Sequence, residues 1–278
     1  MNLQTAKFTP MLLASKNQLV VRLAVTPQDV LAAQRLRYQV FYEELQAHAD
    51  ANLRETKLDA DRFDLFCDHL LVVELSEHRP IDGTAVDDGR IVGTYRLLRQ
   101  EVAQSNCGFY TQHEFDILPL LLRNPDLKFL ELGRSCVAAG FRNKPVAELL
   151  WQGIWNYVRH HGIDVMLGCA SLSGTDPIDL ADQLTFLAHA APAPSGWKVP
   201  ALAARRVEMR LKPIEEINPK AVLRALPTLV KAYLRLGCYI GDGAVIDQQF
   251  NTTDVLIILP VSAINPRYFE HYGTALNG

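Results

Sequence analysis

Paired cysteines are missing from this sequence. Its five, Cys67, Cys107, Cys136, Cys169 and Cys238, are scattered, odd in number and form no CxxC pair, which argues against a disulfide framework or a structural zinc site and fits a reducing, cytoplasmic setting. Long apolar runs are missing too. The longest, near VLIILPVSAI, is far too short to cross a bilayer, and the N-terminal MNLQTAKFTPMLLASKNQLVV sustains no apolar core, so an integral membrane protein is not expected. Neither sign of charge is in large excess: the net charge is -3, so nucleic acid is not an expected partner and any anion site must be local. GxSxG, Walker, HExxH and dinucleotide signatures are absent, which weakens hydrolase, kinase and dehydrogenase readings.

What is present reads as one α/β domain over residues 1–278, since no repeat or low-complexity linker divides it. QLVVRLAV (18–25) has strand character, and Thr26, Pro27 and Asp29 then supply a helix start, with the helix running to about Leu45. Arg37 falls on or beside that helix's apolar stripe and needs a partner. Polar residues 50–68 read as a long loop, followed by strands HLLVVEL (69–75) and RIVGTYRLLR (90–99) as an antiparallel hairpin. A strand over 128–137, a helix capped by Asn143 and stopped by Gly162, and a strand over 163–172 suggest a parallel crossover. Beyond them come a helix from Pro177 to about Ala190, a strand RRVEMRLK, a helical stretch over 219–236 and a last strand DVLIILP, with helical insertions over about 176–236.

Three groups of residues stand out chemically. Glu131 and Arg134 lie in the strand-like FLELGRSCV, where ionised groups must be paired or used; residues three apart face opposite ways unless a bulge intervenes, and Gly133 is a candidate for one. Gly140, Arg142 and Lys144 precede a helix whose first amides are free, a combination suited to phosphate as well as to a solvated turn. Asp59, Asp61, Asp64 and Asp68 fail the spacing of a calcium loop, because positions six and twelve are Asp64 and Leu70; they are solvated, or one or two hold a cationic amine. No metal site is expected. Cys136 and Cys169 read as buried structural thiols, and His160 and His161 as a helix C-terminal cap.

Arg37 and Phe41 in RLRYQVFYEEL, Asp61 and Asp64 in DRFD, Arg96 in GTYRLL, and Glu131 and Arg134 in ELGR together resemble the signature of the acyl-homoserine-lactone synthases and their relatives among the GNAT-like acyltransferases. MLGCASLSGTDP and the stretch LVKAYLRLGCYIGDGAVIDQQFNTTDVLIIL bring the chain closer to the ornithine-lipid branch, the L-ornithine Nα-acyltransferases. The resemblance implies a GNAT-like mixed sheet flanked by helices, no bound cofactor, and transfer of a 3-hydroxyacyl group from acyl carrier protein to the α-amine of L-ornithine. Glu131 is then the candidate general base, directly or through a water, with Arg134 orienting it or the loop carboxylates. Arg37, Phe41, Asp61, Asp64 and Arg96 would then serve the acceptor side, Arg37 by ordering the acidic loop. Gly140, Arg142 and Lys144 would meet the pantetheine phosphate of the carrier. Peripheral contact with the inner membrane is compatible with basic residues Lys220, Arg224, Lys231 and Arg235 among leucines. Two departures matter: the GNAT pyrophosphate loop is not met, since Pro145 falls where its first glycine belongs, and the first tryptophan is Trp151. The first weakens coenzyme A as donor; the second puts lactone synthesis in second place.

Overall fold

Nine strands form one mixed sheet in a computed structural model that describes residues 11–75, 89–142 and 144–265. They are β1 (Leu12–Lys16), β2 (Leu19–Leu23), β3 (Asp68–Leu75), β4 (Gly89–Arg99), β5 (Phe129–Val137), β6 (Val165–Ser173), β7 (Arg206–Val207), β8 (Tyr239–Asp247) and β9 (Thr252–Pro260). Their order is β1-β2-β3-β4-β5-β6-β9-β8-β7. Among these strands only β5 and β6 pair in parallel, as the crossover pattern requires; every other pairing is antiparallel.

The first helix, α1 (Pro27–Tyr38), starts where its sequence signals place it. Thr26 accepts a hydrogen bond from the Asp29 amide, and the Asp29 carboxylate accepts one from the Thr26 amide. The chain then continues as a π-helical segment, Gln39–Glu44. The expected loop over 50–68 holds a short helix α2 (Ala51–Thr56) and a 3-10 turn at Arg62–Leu65. Helices α3 (Gln100–Gln104) and α4 (Leu118–Arg123) follow, then α5 (Lys144–His161), which ends at Gly162 in the left-handed region, φ +60. The expected Asn143 cap and the Lys144 side chain lie outside what is described.

The second half departs more from expectation. Helix α6 (Ala181–Ala190) begins four residues after Pro177, and RRVEMRLK contracts to the two-residue β7. The helical stretch 219–236 divides into α7 (Pro219–Ala225) and α8 (Thr228–Leu236), because Pro227 drives Leu226 into an extended conformation, ψ 145. Strands β1 and β8 carry weak sequence signals and were not expected.

Both faces of the sheet are covered. Val146, Leu149, Leu150, Ile154 and Tyr157 of α5 pack on Leu13, Val21, Leu70 and Val72, each buried side chain of this size contributing roughly 1.5–3 kcal/mol. On the opposite face Phe109, Phe115, Ile117 and Leu120 cover Phe129, Val165, Leu167, Leu256 and Ile258. The feature that positions the site is a parting of strands. Pairing of β5 with β6 stops at Glu131 and Leu167, although both strands continue. Gly168 sits at the fork, where an added Cβ would lie 2.3 Å from the Leu132 carbonyl oxygen.

Candidate active site

Three arginines and three aspartates form a closed network beside β4 and β5. Arg37 is 1% exposed and donates from Nε to Asp59 at 2.8 Å, from Nη1 to Asp64 at 3.0 Å and from Nη2 to Asp64 at 2.8 Å. Arg96 pairs with Asp61 at 2.7 Å and Asp64 at 3.3 Å. Arg134 pairs with Asp59 at 3.3 Å and Asp61 at 3.2 Å. Three positive charges thus meet three negative ones, the condition for keeping such groups buried. Burial pushes the Asp64 carboxyl upward, but Arg37 hydrogen bonds and the charges of Arg37 and Arg96 hold it far below the carboxylate range. Asp68 is engaged elsewhere, by Tyr157 and Arg99. The acidic loop is therefore neutralised by the protein's own cations, and neither Arg37, Asp61 nor Asp64 lines the cavity beside it. His69 is likewise structural, its ring nitrogen 3.2 Å from the Asp64 carbonyl oxygen.

The bulge anticipated around Gly133 lies one residue on. Arg96 pairs with Gly133 and Thr94 with Cys136, so Tyr95 alone opposes both Arg134 and Ser135. Arg134 adopts a left-handed conformation, φ 50, an uncommon geometry for a residue other than glycine. Its guanidinium lies 5.1 Å from the Tyr110 ring centre and 4.8 Å from that of Phe250. The bulge brings Glu131 and Arg134 to one cavity. Glu131 accepts hydrogen bonds from the Tyr110 amide at 2.9 Å, the Thr111 amide at 2.7 Å and the Thr111 hydroxyl. Complete burial raises its pKa even against these three donors.

That cavity, about 290 Å³, is walled by Phe41, Arg96, Tyr110, Glu131, Arg134, Cys169, Asp247, Phe250, Thr252 and Asp254, among others. The register explains the gathering. Glu131 aligns with Leu167, Ser171 with Asp254, and Asp247 with Thr252, so with a period of two Glu131, Cys169, Ser171, Asp254, Thr252 and Asp247 share one sheet face. Behind them is Glu114, and one carboxylate oxygen from each of Glu114, Asp247 and Asp254 lies within 4.8 Å of the others. Burial and the neighbouring Asp254 push Glu114 up to about 7, while burial pushes Asp254 up to about 6. Among the described residues this is the cluster spaced to hold a cation. Cys169 has its thiol pushed well up by burial and by Glu114, so it is no nucleophile.

A second, larger cavity of about 680 Å³ opens on the α5 face. Tyr95, Val137, Phe141, Trp151, Ile154, Trp155 and Met166 line it together with Leu229, Ala232 and Leu236 of α8. It is an apolar trench. Ser135 and Leu229 line both cavities, so the two meet where β5 and β6 part. Arg142 also lines the trench, paired with Glu44 and donating to the Val137 carbonyl oxygen at 3.0 Å. Gly140 stands in the open turn before it, with nothing within 4 Å of an added Cβ.

Glu114, Asp247 and Asp254 were missed in the sequence. Asp254 carries the same signal as Glu131: a carboxylate leading into the apolar run of TTDVLIILP requires a partner or a use.

Comparison with known proteins places these observations in a family. The Acetyltransferase (GNAT) domain family matches residues 36–152. The L-ornithine N(alpha)-acyltransferase of Brucella abortus is 49% identical over 93% of this chain and 90% of its own length. That of Agrobacterium fabrum is 47% identical over 97% and 90%, and that of Rhodobacter capsulatus 38% identical over 93% and 96%. Among solved structures, an N-acyl amino acid synthase from uncultured soil microbes superposes with a TM-score of 0.46 at 14% identity, covering 88% of this chain and 91% of its own.

Proposed function

Since the chain belongs to the L-ornithine N(alpha)-acyltransferase family, and so is an acyltransferase with a GNAT domain, we propose that it moves a 3-hydroxyacyl group from acyl carrier protein to the α-amine of L-ornithine. The observation that carries this reading is the meeting of the two cavities at the fork of β5 and β6. A long acyl chain suits the apolar trench, a small charged amino acid suits the polar cavity, and the thioester carbon belongs at the junction.

The acceptor's α-ammonium must lose a proton before its nitrogen can attack. Glu131 takes that proton, directly or through a water; its three donors leave one lone pair on Oε2 free for the task. The C–N bond forms, the tetrahedral oxyanion is met by a backbone amide of β5 on the edge that β6 has left, and the C–S bond breaks to release the carrier thiol. Arg134 holds the cavity wall and faces the amino-acid carboxylate. Arg142 at the trench wall, with Gly140 and Lys144 beside it in sequence, receives the pantetheine phosphate, a contact that weakens with salt.

The test is mass spectrometry of products from the purified protein with 3-hydroxyacyl carrier protein, the same acyl group on coenzyme A, and a panel of amino acids. N-acyl-ornithine from the carrier donor is expected, with turnover about a hundredfold lower in Glu131→Gln, its fold confirmed by circular dichroism. A lactone product, or acylation confined to another amine, overturns the acceptor; coenzyme A serving as well as the carrier overturns the donor.

A further inference from the structure

An α,δ-diamino acid has two amines that could be acylated, and selective transfer to one requires the other to be restrained. Resting on ornithine as acceptor, we infer that Glu114, Asp247 and Asp254 bind the side-chain ammonium of the acceptor, and thereby set both which amino acid is accepted and which of its amines reacts.

Asp247, Asp254, Thr252 and Cys169 line the same cavity as Glu131 and Arg134, so a ligand at the reaction centre can reach Asp247 and Asp254 without crossing protein, with Glu114 behind them. Glu114 is 1% exposed, and its Oε2, fully buried, accepts no hydrogen bond. A buried acceptor left unmatched is costly unless a ligand supplies the donor.

The cluster is also short of positive charge. Asp59, Asp61 and Asp64 are matched by Arg37, Arg96 and Arg134. Against Glu114, Asp247 and Asp254 the nearest described cation is Arg205, 3.7 Å from Glu114 Oε1 and already donating to the His113 and Ile246 carbonyl oxygens. Arg134 acts on Asp254 from further off. Part of the cluster is already engaged: Asp247 Oδ1 accepts from the Gln249 and Phe250 amides, and Asp254 Oδ1 from the Thr252 hydroxyl. Asp254 also meets the Ser171 hydroxyl and Glu114 the Cys169 thiol; one oxygen of each of the three carboxylates nonetheless lies within 4.8 Å of the others, a spacing that suits a single ammonium.

Such a site does two things at once. It selects an amino acid that carries a terminal amine, and it holds that amine protonated, with its nitrogen lone pair unavailable, while the α-amine is deprotonated beside Glu131.

The test is calorimetric binding of L-ornithine and of L-norvaline, which has the same carbon chain without the terminal amine, to the wild type, Asp254→Asn and Glu114→Gln, each confirmed folded by circular dichroism. Wild-type protein is expected to favour ornithine by at least about tenfold, and both variants to bring the two ligands within about threefold. Equal binding by the wild type, or a preference that survives both variants, overturns the inference. So does Mg²⁺ or Ca²⁺ binding that depends on the cluster while the ornithine preference does not. Product analysis separates this inference from the reading it rests on. Variants that transfer to ornithine with the wild-type preference and no δ-acyl product overturn the inference alone. Preferential ornithine binding without any N-acyl-ornithine overturns the acyl-transfer reading alone.

Discussion

At the scale of single residues, the chain sorts its buried charges into matched and unmatched sets. Asp64, within hydrogen-bond reach of Arg37, Arg96 and Gln34, belongs to the matched set. Its folded pKa lies below its ordinary value of 3.8, as does that of Asp61. The unfolded chain therefore binds more protons in that range, and the stability these groups contribute is present above about pH 4 and lost as pH falls through their folded values. Asp64→Asn should cost about 3–5 kcal/mol at pH 7, because the buried Arg37 loses one of its two carboxylate charges and meets an amide donor in place of an acceptor. It should also flatten the decline of stability between about pH 4 and pH 2 relative to the wild type. Denaturant titrations across that range check both; a variant with wild-type stability at pH 7 would show that the network does not hold the loop.

At the scale of elements, the fork between β5 and β6 depends on one small residue. Gly168→Ala would drive a methyl group into the Leu132 backbone, 2.3 Å away, and backbone cannot rotate out of the way as a side chain can. A loss of roughly 1–3 kcal/mol is expected, with thiol release falling more than stability alone accounts for, since the displaced strand carries Glu131 and Arg134. A variant with normal melting temperature and normal turnover would remove the fork from the mechanism. Elements with strong local signals were legible: the capping box of α1, the amphipathic α5 and the short apolar runs of β3 and β4. Strand β8 was not, because its glycines in YIGDGAVID hide the pattern, one of them, Gly243, at φ +97. The break at Pro227 was readable from the proline itself. The acidic cluster was not, since Asp247 and Asp254 flank one hairpin while Glu114 lies far earlier in the chain, and only the fold brings it beside them.

At the scale of the molecule, two chambers lie on opposite faces of one sheet and share Ser135 and Leu229 as walls where the sheet opens. No helix among the described residues is long and apolar enough to cross a membrane. On the proposed function the acyl chain lies in the apolar trench, and two of the chain's three tryptophans, Trp151 and Trp155, line it. That placement gives the central claim its most direct measurement: tryptophan emission during titration with N-acyl-ornithine brominated along its acyl chain. If the product spans both chambers, bromine quenches the emission, ornithine alone does not, and Trp151→Phe together with Trp155→Phe removes the effect. Calorimetric binding of the brominated product with no quenching, or with quenching that persists in the double variant, would contradict the two-chamber account.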